Sequence, residues 1–87
     1  MQITAELSLY PLNEQFEKVV LRFIDRLLEG HAVSTATNSM STQLSGESQA
    51  VFNAIRDALE QSYQEFGQQV LVAKFIPEHH PDIGPLE

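Results

Sequence analysis

The sequence predicts an α+β sandwich, a four-stranded antiparallel sheet with two helices packed on one face. Three observations predict it. Four segments alternate apolar and polar residues with the period of half-buried strands, and two longer ones repeat apolar residues at the three- and four-residue steps of helices lying on a core. The order along the chain is strand, helix, strand, strand, helix, strand. The 87 residues include no cysteine, so neither disulfides nor thiolate-bound metal can hold the single modest core; packing must do so, with self-association open as a further support.

Gln2 to Tyr10 form the first strand, with Ile3, Ala5, Leu7 and Leu9 on one side and Thr4, Glu6, Ser8 and Tyr10 on the other; Pro11 stops it. Asn13 is expected to cap the first helix. Its apolar stripe is Phe16, Val19, Val20, Phe23, Ile24 and Leu27, with Glu17, Lys18, Asp25, Arg26 and Glu29 mostly off the stripe and Gly30 at its end. His31 to Thr37, β-branched and small, reads as a short second strand at a sheet edge. Asn38-Ser39 is a tight turn, and the third strand begins at Met40, with Met40, Thr42 and Leu44 facing one way and Ser41, Gln43 and Ser45 the other.

After Gly46 a second helix carries Val51, Ile55, Leu59 and Phe66, flanked by Ala54, Ala58 and Ser62, whose small side chains allow close approach to a sheet; Gly67 closes it. Gln69 to Ile76 is the fourth strand, with Leu71, Ala73 and Phe75 on one face and Val70, Val72 and Lys74 on the other. Pro77 terminates it, so residues 1–77 form the domain. The tail from Glu78 to Glu87 is expected to be a flexible extension, and Leu86-Glu87 has the look of an expression scar.

This order is that of the ferredoxin-like split βαβ fold, βαββαβ, with sheet order 4-1-3-2 and the first and third strands central. Pairing Leu9 with Met40, Leu7 with Thr42 and Ala5 with Leu44 sets mostly apolar residues together under the helices. The same register sets Ser8 beside Ser41, Glu6 beside Gln43 and Thr4 beside Ser45 on the uncovered face. A slip of one residue would bury Glu6. The uncovered face therefore has a polar centre bordered by Tyr10, Val70, Val72 and Lys74, open to three uses: contact between copies, a ligand pocket shared between subunits, or hydration. At one end of the sheet the first strand, the start of the first helix and the Asn38-Ser39 turn should meet, bringing backbone N–H groups near Thr37, Asn38 and Ser41, a place suited to an anion, a phosphorylated ligand or water.

Five Lys and Arg against twelve Asp and Glu give a net charge of −7. That charge repels phosphate backbones and excludes nucleic acid as a partner, tolerates a cationic small molecule, and keeps a small protein soluble. Met1 leads straight into a strand pattern, and no run of about 18 apolar residues occurs, so a soluble, cytoplasmic protein with no membrane partner is expected. There is no Cys, no nucleophile set beside a base and orienter, and no Gly-rich phosphate loop, so no enzymatic activity, catalytic residue or cofactor is expected. His79-His80 with Glu78 and Asp82 is the candidate metal cluster, but adjacent histidines point apart in an extended chain and no metal site is expected there. His31 reads as a partner for the C-terminal dipole of the first helix.

The opening Met1-Gln2-Ile3-Thr4-Ala5-Glu6-Leu7-Ser8-Leu9-Tyr10-Pro11-Leu12, the Met40-Ser41-Thr42 block with Gly46-Glu47 after it, and Val72-Ala73-Lys74 before Phe75 resemble the thiamine-binding protein family, also called YkoF-like. The resemblance extends over nearly the whole chain to Pro77. It implies a ferredoxin-like subunit that assembles as dimers and tetramers through its sheets, with thiamine or its hydroxymethylpyrimidine half as ligand. An aminopyrimidine offers a ring nitrogen that bonds well to a carboxyl group, an exocyclic amine that needs acceptors, and an aromatic face that wants a flat or apolar neighbour. On that chemistry Glu6 serves the ring nitrogen, Ser8, Ser41 or Gln43 the amine, and Tyr10 or Met40 the face, with Thr37, Asn38 and Thr42 completing the candidate ligand set at the turn end. For Glu6 a structural alternative stands beside this, an ion pair with Lys74 across an interface. The expected function is non-enzymatic binding of thiamine or its pyrimidine by a homo-oligomer, a dimer of dimers; the alternative is a structural or regulatory assembly module with no small-molecule ligand.

Overall fold

The expected elements form in the expected order: β1 (Gln2–Pro11), α1 (Phe16–Leu28), β2 (Val33–Thr37), β3 (Thr42–Glu47), α2 (Ser48–Phe66) and β4 (Gln69–Pro77). The computed structural model describes residues 1–38 and 41–78. The sheet order is β2-β3-β1-β4, which is 4-1-3-2 read from the other edge, and every pairing is antiparallel. This is the ferredoxin-like α+β fold.

The central register is the one that hydrophobic alternation requires: Thr4 pairs with Ser45, Ala5 with Leu44, Glu6 with Gln43 and Leu7 with Thr42. Ile3, Ala5, Leu7 and Leu44 enter one core with Phe23 and Leu27 of α1 and Val51, Ala54, Ile55 and Ala58 of α2. On the other face Thr4 and Ser45 are also buried, with their hydroxyls 3.0 Å apart. The pairing expected between Leu9 and Met40 lies outside the described residues.

The two helices pack by different means. In α1 the buried row is Val19, Phe23 and Leu27, at steps of four. Phe16, expected on the same stripe, is 56% exposed, because it belongs to a second row with Val20 and Ile24 on the flank of the first. In α2 the most buried positions are the small ones, Ala54, Ala58 and Ser62, beside Val51 and Ile55, while Leu59 and Phe66 are half-buried. Small residues at steps of four let the helix backbone lie close to the sheet. Gly46 makes room for the same closeness within the sheet: a Cβ there would come 3.0 Å from the Ala32 carbonyl oxygen and 3.3 Å from Val33 Cγ1.

Several boundaries differ from expectation for local reasons. Asn13 does not cap α1, whose N-cap is Gln15 with no side-chain cap bond. Its Oδ1 instead accepts the Gln15 N–H at 2.7 Å, and its Nδ2 donates to the Phe66 carbonyl at 3.3 Å, so one side chain ties the turn before α1 to the end of α2. β2 begins at Val33 rather than His31, whose Nε2 lies 3.2 Å from Asp57 Oδ2 on α2. β3 begins at Thr42 because Ser41 belongs to the turn: its N–H donates to Asn38 Oδ1 at 2.9 Å and its carbonyl accepts the Asn38 N–H at 3.0 Å. β4 runs through Pro77, and Glu78, with φ 59°, donates its N–H to the Gln2 carbonyl at 2.7 Å. The tail expected to be flexible lies, beyond Glu78, outside the described residues, as does the His79-His80 pair. Arg26 joins the helices, its guanidinium hydrogen-bonded to both Gln61 and Glu65 of α2.

Replacing Leu44, fully buried at the centre of the core, by Ala should cost about 2–5 kcal/mol, read as a lower urea midpoint with an unchanged slope. Two carboxyls also couple stability to pH. The Arg56 guanidinium, 2.9 Å from Asp57, holds that carboxyl below its ordinary range, with His31 adding to the effect, and the N-terminal amine does the same for Glu47. Because both folded values are depressed, the stabilisation is complete above the ordinary carboxylate pKa of about 4 and is lost as the pH falls through the depressed ones. Urea titrations in acid should show this loss, and Asp57→Asn should remove the Asp57 share of it.

Candidate functional site

The second row of α1 marks the site. Phe16, Val20 and Ile24 stand one above another at steps of four, beside the core row. They form the wall of a cleft of about 510 Å³ between α1 and the end of the sheet that carries the β2–β3 turn. Leu7, Leu9 and Thr42 supply sheet residues to it, and Ser8, Thr37, Asn38 and Ser41 add polar groups. The volume is in the range of small-molecule pockets, which are mostly apolar with a few placed polar groups.

The polar part is held by local bonds. The hydroxyls of Thr37 and Thr42, paired across β2 and β3, lie 3.1 Å apart. The Asn38 side chain and backbone close the turn on Ser41, as above. Ser41 Oγ then donates to Glu6 Oε2 at 3.3 Å, so a carboxylate of the open face orients a hydroxyl of the cleft.

The residues expected to bind ligand therefore fall into two groups. Ser8, Thr37, Asn38, Ser41 and Thr42 are brought together at the cleft. Glu6, Tyr10 and Gln43 are not among its lining residues: Glu6 and Gln43 sit opposite one another in the ladder, and Tyr10, next to Leu9 at the same end of β1, is exposed. Met40 lies outside the described residues. The expected meeting of strand end, helix start and turn is thus present, but the cleft opens on the helix-covered side, whereas the polar constellation of Glu6, Ser8, Ser41 and Gln43 was expected to form a pocket on the uncovered side. The ion pair envisaged for Glu6 across an interface forms within the chain: Lys74, its neighbour in the β1–β4 ladder, places Nζ 3.9 Å from Glu6 Oε1.

Phe16, Glu17, Val20, Leu21 and Ile24 were missed as site residues. The signal that marks three of them is the doubled row, since a helix that needs only Val19, Phe23 and Leu27 for its core has no packing use for Phe16, Val20 and Ile24. Among the described residues no group of three or more His, Cys, Asp or Glu is placed to hold a metal ion, and no helix is long and apolar enough to cross a membrane.

Comparison with known proteins bears on the family and the fold. The model of the YKOF-related family matches residues 2–75. No curated protein matches the chain. Among solved structures, a hypothetical protein of Methanocaldococcus jannascii superposes with a TM-score of 0.78 at 22% identity, covering 90% of this chain and 81% of its own. A protein of Streptococcus pneumoniae superposes with a TM-score of 0.79 at 22% identity, covering 91% and 89%. A Thermotoga maritima protein, described provisionally as a thiamine biosynthesis/salvage protein, superposes with a TM-score of 0.75 at 16% identity, covering 86% and 82%. At these identities the superpositions establish the shared fold.

Proposed function

Because the chain belongs to the YKOF-related family, we propose that it binds thiamine, or the hydroxymethylpyrimidine half of thiamine, without turnover, in the cleft between α1 and the turn end of the sheet. The observation that carries this reading is the cleft itself, an apolar wall from one helix facing a cluster of hydroxyls and an amide. The flat pyrimidine lies against Phe16, Val20 and Ile24, and its exocyclic amine and hydroxymethyl group exchange hydrogen bonds with Thr37, Asn38 and Ser41. Glu6 acts one step back, orienting Ser41 rather than meeting the ring nitrogen. The thiazolium of thiamine, a fixed cation, suits a subunit of net charge −7. The description of the Thermotoga protein as belonging to thiamine biosynthesis or salvage supports the ligand class.

Assembly is the second part of the proposal, and it rests on a different observation. β4 is an edge strand, and Val70, Val72 and Ile76 on its uncovered face are each at least 40% exposed, beside Tyr10 at 56%. Such an apolar border around a polar face suits a homo-oligomer built through the sheets, a dimer of dimers. Were the cleft to take no ligand, this surface would leave an assembly module as the function.

Calorimetric titration with thiamine and with hydroxymethylpyrimidine tests the first part. Saturable heat is expected with at least one of them, and Ile24→Trp, which fills the cleft, should abolish it while thermal unfolding stays cooperative. No heat with either ligand, at protein concentrations where the oligomer persists, rejects binding. Light scattering tests the second part: Val72→Lys should lower the mass toward that of a single chain, and an unchanged mass would exclude the β4 border from assembly.

A further inference from the structure

Glu17 is the one charged side chain lining the cleft among the described residues. We propose that Glu17 sets the specificity of this site, favouring the cationic, unphosphorylated form of the ligand and rejecting its phosphate ester. The inference rests on the ligand class proposed above and concerns its charge state.

Two features compete at this spot. The start of α1 offers backbone N–H groups and a partial positive charge of roughly half an elementary unit, which by itself would attract a phosphate. Glu17, in the first turn of the same helix, places a full negative charge on the same ground. The larger charge decides the sign. Among the described residues no Lys or Arg lines the cleft to restore it, and the chain as a whole carries −7.

At the β2–β3 turn the backbone donors that could have cradled an anion are also already engaged. The Asn38 N–H is given to the Ser41 carbonyl and the Ser41 N–H to Asn38 Oδ1, so the turn holds its own donors. Before α1 the Gln15 N–H is given to Asn13 Oδ1. The polar groups that line the rim are neutral, the Asn38 amide and the hydroxyls of Ser8, Thr37 and Ser41, with Thr37 bonded to Thr42 and Ser41 to Glu6.

The test is a set of calorimetric titrations of the wild type, Glu17→Gln and Glu17→Lys with three probes: thiamine, thiamine monophosphate and uncharged hydroxymethylpyrimidine at mildly alkaline pH. Thermal melts confirm that each variant folds. The wild type should bind thiamine more tightly than its monophosphate. Glu17→Gln should weaken thiamine about two- to fivefold and leave the pyrimidine unchanged, and Glu17→Lys should weaken thiamine further while improving the monophosphate. Salt at about 0.5 M should narrow the wild-type preference. The inference is overturned if the wild type binds thiamine but Glu17→Gln changes nothing, if thiamine and pyrimidine weaken alike, or if the monophosphate binds as tightly as thiamine. Wild-type protein that binds none of the three removes the ligand reading itself, and this inference with it.

Discussion

The antiparallel register that sets Ala5 opposite Leu44 is the constraint on which the rest of the molecule depends. Side chains alternate across a strand, so this one alignment decides two surfaces at once. It puts Ile3, Leu7 and Leu44 under the helices and, by the same step, puts Glu6, Gln43 and the Thr4–Ser45 hydroxyl pair on the opposite face. A shift of one residue would exchange the two sets and carry the Glu6 carboxylate to the helix-covered face, at a large desolvation cost. Register is therefore enforced by the expense of the alternative as much as by the packing gained.

With the sheet so aligned, the helices divide the remaining work. α2 sits close through Ala54, Ala58 and Ser62, and the bulk of the core beneath it comes from the strands. α1 carries more apolar surface than the core can take. Its row of Val19, Phe23 and Leu27 is consumed by packing, while Phe16, Val20 and Ile24 remain to face a cleft. An apolar row left over after core formation costs solubility unless something covers it, which makes it a candidate binding surface.

Ser41 connects the two sides of the sheet. It lines the cleft, its backbone closes the β2–β3 turn on Asn38, and its hydroxyl reaches Glu6 on the open face. Glu6 is in turn flanked by Lys74 on β4. That pair is well exposed and adds little to stability, but it balances a carboxylate that would otherwise stand alone on a central strand. The polar residues of the open face thus serve partly as a support for the cleft, and Val72 and Ile76 of the apolar border on β4 stand directly opposite Ser8 and Thr4.

The element order, the sheet topology and the central register were legible in the sequence because hydrophobic periodicity reports directly which side of an element is buried. So was the gathering of Thr37, Asn38 and Ser41 near the start of α1, since topology alone brings those ends together. What periodicity does not report is how much of an apolar stripe a core will consume, so Phe16, read on the core stripe, is a wall of the cleft, and Glu17, read mostly off that stripe, is among the cleft's lining residues. Nor does it report which partner a polar side chain will take among several within reach: Asn13 bonded the Gln15 N–H and the Phe66 carbonyl instead of capping a helix, and Lys74 met Glu6 within the chain. The amino-acid order by itself determined the fold and the two faces of its sheet, because burial is a property of local pattern. Only the tertiary structure decided the side on which the cleft opens, because that depends on the distance left between a helix and a sheet once the core is full.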